Sequence, residues 1–68
     1  MKLSARNQLS GTVAEIRRGE ATANVVLDVK GQRLVASITV EAVDDLGLAV
    51  GSSVTAIVKA SDVIIATD

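Results

Sequence analysis

Two short polar segments carry the side chains best suited to hold a ligand. Ser4-Ala5-Arg6-Asn7-Gln8 precedes the first apolar stretch, and Lys59-Ala60-Ser61-Asp62 lies near the other end. Thr39 stands between them, followed by Val40-Glu41. The set holds two cations, hydroxyls and amides, placed where the chain is expected to reverse and leave backbone N–H groups free. That is the inventory an oxyanion needs: Arg and Lys for charge, hydroxyls and N–H groups for direction. A helix opening at Thr39 adds a partial positive charge and further donors. Each residue has a plainer role too. Arg6 and Lys59 suit a solvated surface, and Thr39 suits a simple N-cap. Ser4 suits a tail, and Asp62 after Ser61 suits a turn that bonds its own backbone. Arg17-Arg18 reads as an exposed hairpin end.

Composition removes most other chemistry. The 68 residues include no Cys, His, Pro, Phe, Trp or Tyr. Without Cys there is no disulfide, no thiolate nucleophile and no Cys/His zinc site. Without His the chain lacks the side chain best matched to proton transfer near neutral pH. Without aromatics it lacks the stacking surface that single-stranded nucleic-acid binders use. The net charge of -1 and the pI of about 5.2 are not those of a DNA-binding module. Glu41, Asp44 and Asp45 do not have EF-hand spacing and read as a solvated helix face. No nucleophile–base pair or paired carboxylate stands out, so no enzymatic activity, no organic cofactor and no free metal cation are expected.

Size sets a further condition. A core of small aliphatic side chains in one short domain, here residues 1–68, supplies only a few kcal/mol without a staple. Disulfide and Cys/His metal staples are excluded, so oligomerisation is the one left. Met1 to Leu9 is polar and mixed in charge, unlike a secretory leader, and no apolar run is long enough to span a membrane. An intracellular protein without nucleic-acid or membrane partners is expected.

The elements that must position these residues are mostly strands, because β-branched residues and turn residues alternate along the chain. Strands are predicted at Leu9–Arg18, Ala21–Val29, Arg33–Thr39, Ser53–Lys59 and Val63–Ala66. Gly11 inside the first suggests a bulge or a close backbone approach. Ala23, Val25, Leu27 and Val29 share one face of the second, and Val26 implies that both faces are partly covered. Lys30-Gly31-Gln32 marks a hairpin turn. A short helix is predicted over Val40–Leu46, capped by Thr39 and ended by Gly47, with Val40, Val43 and Leu46 sharing one face. The fold class is all-β with small α content: a five-stranded OB-like barrel with one helix between the third and fourth strands.

The segments Ser4-Ala5-Arg6-Asn7-Gln8-Leu9, Asp44-Asp45-Leu46-Gly47-Leu48 and Val58-Lys59-Ala60-Ser61-Asp62-Val63-Ile64, at these distances, resemble the molbindin family over Met1 to Ala66. Molbindins are small molybdate-binding proteins of the Mop or TOBE type. Similar domains end the molybdate-responsive regulator ModE and molybdate importer ATPases.

The resemblance implies a cytoplasmic store or buffer for molybdate and tungstate, built as a homohexamer, a trimer of dimers, with the oxyanion at subunit interfaces. By the same resemblance Ser4 and Arg6 match an oxyanion-contacting pair, Thr39 a hydroxyl position at the helix start, and Lys59 the binding lysine. Ala60 stands where related chains often have Ser, which leaves its backbone N–H or the neighbouring Ser61 for that contact. The family's second site type is not assigned to residues here. The expectation is physically sound, since burying a tetrahedral dianion is costly unless charges and donors surround it. Sulfate carries the same charge and shape, so discrimination must come from cavity size. Two rivals remain at this point: a sulfate- or phosphate-type binder, and a structural oligomerisation or regulatory domain with no ligand of its own.

Overall fold

Alternating β-branched residues form the expected ladder, and the computed structural model describes all 68 residues. Strand β1 spans Asn7–Arg18, β2 Thr22–Val29, β3 Gln32–Thr39 and β4 Ser53–Val58. Helix α1 covers Val40–Asp45, between β3 and β4. The strands form one antiparallel sheet in the order β3-β2-β1-β4.

β1 organises this sheet by changing partners along its length. Its first half pairs with β4, from Asn7 opposite Val58 to Thr12 opposite Ser53. Its second half pairs with β2, ending at Arg18 opposite Ala23. The register shifts between Val13 and Glu15, so the irregularity falls at Ala14. An extra residue there bends the strand and increases its twist, which helps to coil the sheet. Gly11 supplies the other device anticipated from the sequence, a close approach. A Cβ on Gly11 would lie 2.9 Å from the Asp28 carbonyl oxygen and 3.0 Å from Val29 Cγ2. Gly11→Ala is therefore expected to destabilise the protein by about 1–3 kcal/mol, since backbone must move to admit the methyl group. Urea unfolding checks this, and an unchanged midpoint would contradict it.

The β2–β3 hairpin closes through Lys30 (φ 52°) and Gly31 (φ 84°). Two consecutive positive φ angles make the turn type whose twist matches paired strands. The Gly31 N–H donates to Asp28 Oδ1 at 2.8 Å and holds it.

The core lies on the concave face. Val13, Ala23, Val25, Leu27 and Val43 form its buried cluster. Val26 is also buried, on the opposite face of β2 from Val25 and Leu27, so both faces of that strand are covered. Only six residues of 68 are buried, too few for a self-sufficient domain of this length.

Two expectations need correction. Val63–Ala66 is not a fifth strand. It follows a 3-10 turn over Ala60–Asp62 and has no ladder partner. The turn bonds, Asp62 N–H to Lys59 O and Val63 N–H to Ala60 O, turn the tail away from β4, and Ile64 and Ile65 are 91% and 82% exposed. Leu46 does not join the inward face of α1 either, being 69% exposed. Gly47, at φ 62°, reverses the chain. Its N–H donates to Asp44 O and that of Leu48 to Val43 O. This paired closure brings Leu48 rather than Leu46 against the core.

Candidate functional site

The β1–β4 register decides which polar residues meet. Asn7 pairs with Val58 as the last rung of the ladder, so Arg6 and Lys59, the residues just beyond it, leave the sheet at the same end. Ser4 precedes Arg6 on one arm, and Ala60 and Ser61 follow Lys59 in the 3-10 turn on the other. Five of the six sequence-predicted residues thus gather at one end of the sheet from opposite ends of the chain.

Their local structure is defined on both arms. Arg6 Nε donates to Ser4 O at 2.9 Å, and an Arg6 Nη donates to Leu3 O at 2.7 Å. The guanidinium thereby curls the N-terminal segment around itself and keeps its remaining N–H groups available. On the other arm Lys59 is extended (φ -65°, ψ 132°) and opens the 3-10 turn. Within that turn Asp62 N–H is bonded to Lys59 O. The N–H groups of Ala60 and Ser61 come before this first bond and have no partner inside the turn.

Neither Arg6 nor Lys59 is held by a carboxylate. The ion pairs are Arg17–Glu15 at 3.1 Å and Arg18–Asp44 at 2.9 Å, both elsewhere on the molecule. Ser4, Arg6, Lys59, Ala60 and Ser61 are all exposed. The cluster is an open cationic face with hydroxyl and N–H donors. A second surface laid against it would exclude water and strengthen its hold on an anion.

Thr39 is placed differently. It pairs with Thr22, near the rung of Arg18 and Ala23, and the Arg18–Asp44 pair ties that end of β1 to α1. The 12-residue length of β1 therefore separates Thr39 from the Arg6–Lys59 end. Its Oγ1 accepts from Ala42 N–H at 3.0 Å, the anticipated N-cap bond. Glu20, Glu41, Asp44 and Asp45 line the same shallow surface, which repels anions. Within one chain Thr39 does not join the cluster. Thr39→Ala is expected to cost about 1 kcal/mol of stability through loss of the cap, read by thermal unfolding, with little change in anion affinity. A large affinity loss at unchanged stability would place Thr39 in the site.

Asn7 is the residue whose role the sequence did not separate from its neighbours. Its Nδ2 donates to Val58 O at 3.2 Å, joining the base of one arm to the base of the other. Its place between Arg6 and the first strand was the only signal.

The same arrangement of elements occurs in known proteins. The TOBE domain family matches residues 3–65. Molybdenum-pterin-binding protein 3 of Clostridium pasteurianum is 44% identical over 66 residues, 96% of this chain and 97% of that protein. A molybdate-binding protein from Sporomusa ovata has a TM-score of 0.94 and 48% identity, over 98% of this chain and all of that one. The cytoplasmic molybdate-binding protein ModG, in a form with molybdate bound, has a TM-score of 0.90 and 46% identity. The match covers 94% of this chain and 46% of ModG. On this extent of family match and this identity to relatives of its own length, the chain belongs to the TOBE domain family, within its molbindin branch.

Proposed function

We propose that this protein binds molybdate, and tungstate with it, reversibly, as a store or buffer in the cytoplasm and not as an enzyme. The observation that carries the proposal is the β1–β4 register, whose last rung, Asn7 to Val58, brings Arg6 and Lys59 to the same end of the sheet, with neither in an ion pair. Two adjacent cations repel each other when water is withdrawn, and an intervening dianion converts that repulsion into attraction. Ser4, Ser61 and the Ala60 N–H supply oriented donors around it. The names of the Sporomusa and ModG proteins support molybdate itself, and that of the Clostridium protein supports molybdenum, there as a molybdenum-pterin. ModG is described as cytoplasmic, and no helix here is long and apolar enough to cross a membrane.

The site is completed between subunits of a homo-oligomer, a hexamer of three dimers. Two features of the single chain support assembly. β3 and β4 are both sheet edges, and between them lies a cleft of about 430 Å³ lined by residues including Leu34, Ile38, Leu48, Val54 and Ile57. The apolar tail Val63-Ile64-Ile65 is exposed and suits the missing strand of such a cleft in a second copy. Thr39, remote from Arg6 in its own chain, takes part only if a neighbouring subunit brings it to the site.

Calorimetric titration with molybdate, tungstate, sulfate and phosphate tests the function. Saturable binding of the two larger oxyanions, in preference to sulfate and phosphate, is expected. Equal affinity for sulfate or phosphate would favour a general oxyanion binder, and no binding of any anion would favour a structural domain.

A further inference from the structure

We propose that Asn7 is a positioning residue for the oxyanion site: its side-chain amide orients the peptide that precedes Lys59, and so fixes the Lys59 arm against the Arg6 arm. The inference rests on the oxyanion reading above.

The carrying observation is the hydrogen bond from Asn7 Nδ2 to Val58 O, 3.2 Å long and partly buried. Six other side-chain hydrogen bonds join residues two or three positions apart. The remaining long-range one, Arg18 to Asp44, is exposed and lies at the other end of β1. The Asn7–Val58 bond is thus the side-chain bond that ties the two arms together. Partial burial shields it from competition by water.

Its place in the backbone gives it leverage. The ladder between β1 and β4 ends at Asn7 and Val58. The Val58 carbonyl belongs to the peptide unit whose N–H is that of Lys59. No peptide bond in the chain is cis. In a planar trans unit the C=O and N–H point in opposite directions, so holding one fixes the other. Asn7 therefore sets the peptide plane at the joint between the ladder and the turn that carries Lys59, Ala60 and Ser61.

Bonds on either side extend this control. Arg6, the residue before Asn7, holds the Leu3 and Ser4 carbonyls. Lys59, the residue after Val58, accepts from Asp62 N–H. Three sets of hydrogen bonds, on residues adjacent in the chain, thus follow one another from Leu3 to Asp62, and Asn7 supplies the side-chain link between the two arms. Binding groups act through such a supporting shell, which must hold them to about 0.5 Å. Molybdate and sulfate share a charge and a shape and differ in size. Loosening the spacing between the arms should therefore reduce discrimination between them as well as affinity.

The test uses the full chain and compares Asn7→Ala, Lys59→Ala and the double variant with wild type. Titration with molybdate and with sulfate gives affinity and preference. Unliganded melting and sedimentation give stability and assembly. Asn7→Ala is expected to weaken molybdate binding about three- to tenfold, the range for loss of one hydrogen bond. It should weaken sulfate less, so that the preference narrows. In the double variant the two losses should be clearly less than additive, because much of the effect of Asn7 runs through Lys59. Asn7→Leu, which keeps the size without the donor, is read in the same way if the alanine variant fails to assemble. Wild-type affinity and preference in Asn7→Ala or Asn7→Leu, beside a loss in Lys59→Ala, would overturn the inference and leave the oxyanion reading standing. Losses that simply add in the double variant would overturn it too, as the mark of a merely structural role. If wild type binds neither anion, both fall.

Discussion

Replacing Arg6 or Lys59 by Ala is expected to weaken molybdate binding by at least about tenfold each, since a hydrogen bond to a charged group contributes roughly 1.5–3 kcal/mol. The two variants should not be equal. Lys59 presents a mobile point charge, and its loss removes one attraction. Arg6 also holds the Leu3 and Ser4 carbonyls, so its loss frees the segment that carries the Ser4 hydroxyl. Arg6→Ala should therefore show the larger effect, and Arg6→Lys should restore charge without restoring the two carbonyl bonds. Arg17→Ala is the control. Arg17 is 73% exposed and engages Glu15 within its own strand, so affinity should be unchanged. Calorimetric titration reads all four variants. Wild-type affinity in both Arg6→Ala and Lys59→Ala would mean that the site lies elsewhere.

Ending the chain at Asp62 is expected to break the assembly into smaller species. The deleted Val63, Ile64 and Ile65 are 49%, 91% and 82% exposed in the single chain and make no ladder there. Burying an Ile side chain contributes about 1.5–3 kcal/mol. Two such residues per subunit, inserted into a neighbour's β3–β4 cleft, are a large share of what a domain with six buried residues can draw on. Ile64→Lys, which puts one charge into that seam and leaves the chain length intact, should act in the same direction. Sedimentation velocity distinguishes the outcomes. Wild-type protein should sediment near six times 7.0 kDa, and the truncated chain well below it. A truncated chain of unchanged mass would remove the tail from the interface. A clean wild-type monomer at micromolar concentration would remove the interface site itself.

Local signals were the legible part of the sequence. Thr39 as N-cap, Gly47 as the residue ending α1, and Lys30-Gly31 as a hairpin turn all depend on a few adjacent residues with specific backbone needs, and all are present. Errors arose where a nonlocal partner decides the outcome. Val63–Ala66 has strand composition, but a strand needs an edge to pair with, and the 3-10 turn at Ala60–Asp62 points it away from its own β4. Leu46 has helical spacing with Val43, but the reversal at Gly47 hands its place to Leu48. The bulge at Ala14 has no glycine to mark it, while Gly11 marks an approach of β2 instead. The site divides in the same way. Ser4, Arg6, Lys59 and Ser61 announce themselves by chemical type, and Ala60 by its place after Lys59. The link that joins them, Asn7 to Val58 O, spans 51 positions and becomes visible only once the register of β1 and β4 is known. Thr39 lies at the other end of β1 from Arg6 within one chain, a separation that spacing along the chain does not reveal.

The most direct test of a size-selective oxyanion site between subunits is the melting temperature of the assembled protein as molybdate is added, with sulfate at equal ionic strength beside it. A ligand bound only by the assembled state stabilises it by about 2.7 kcal/mol per site when free ligand is roughly 100 times the dissociation constant. The melting temperature should therefore climb with molybdate concentration and rise far less with sulfate, because simple screening of Arg6 against Lys59 is common to both dianions. An equal rise with sulfate, or no rise with either anion, would contradict the account.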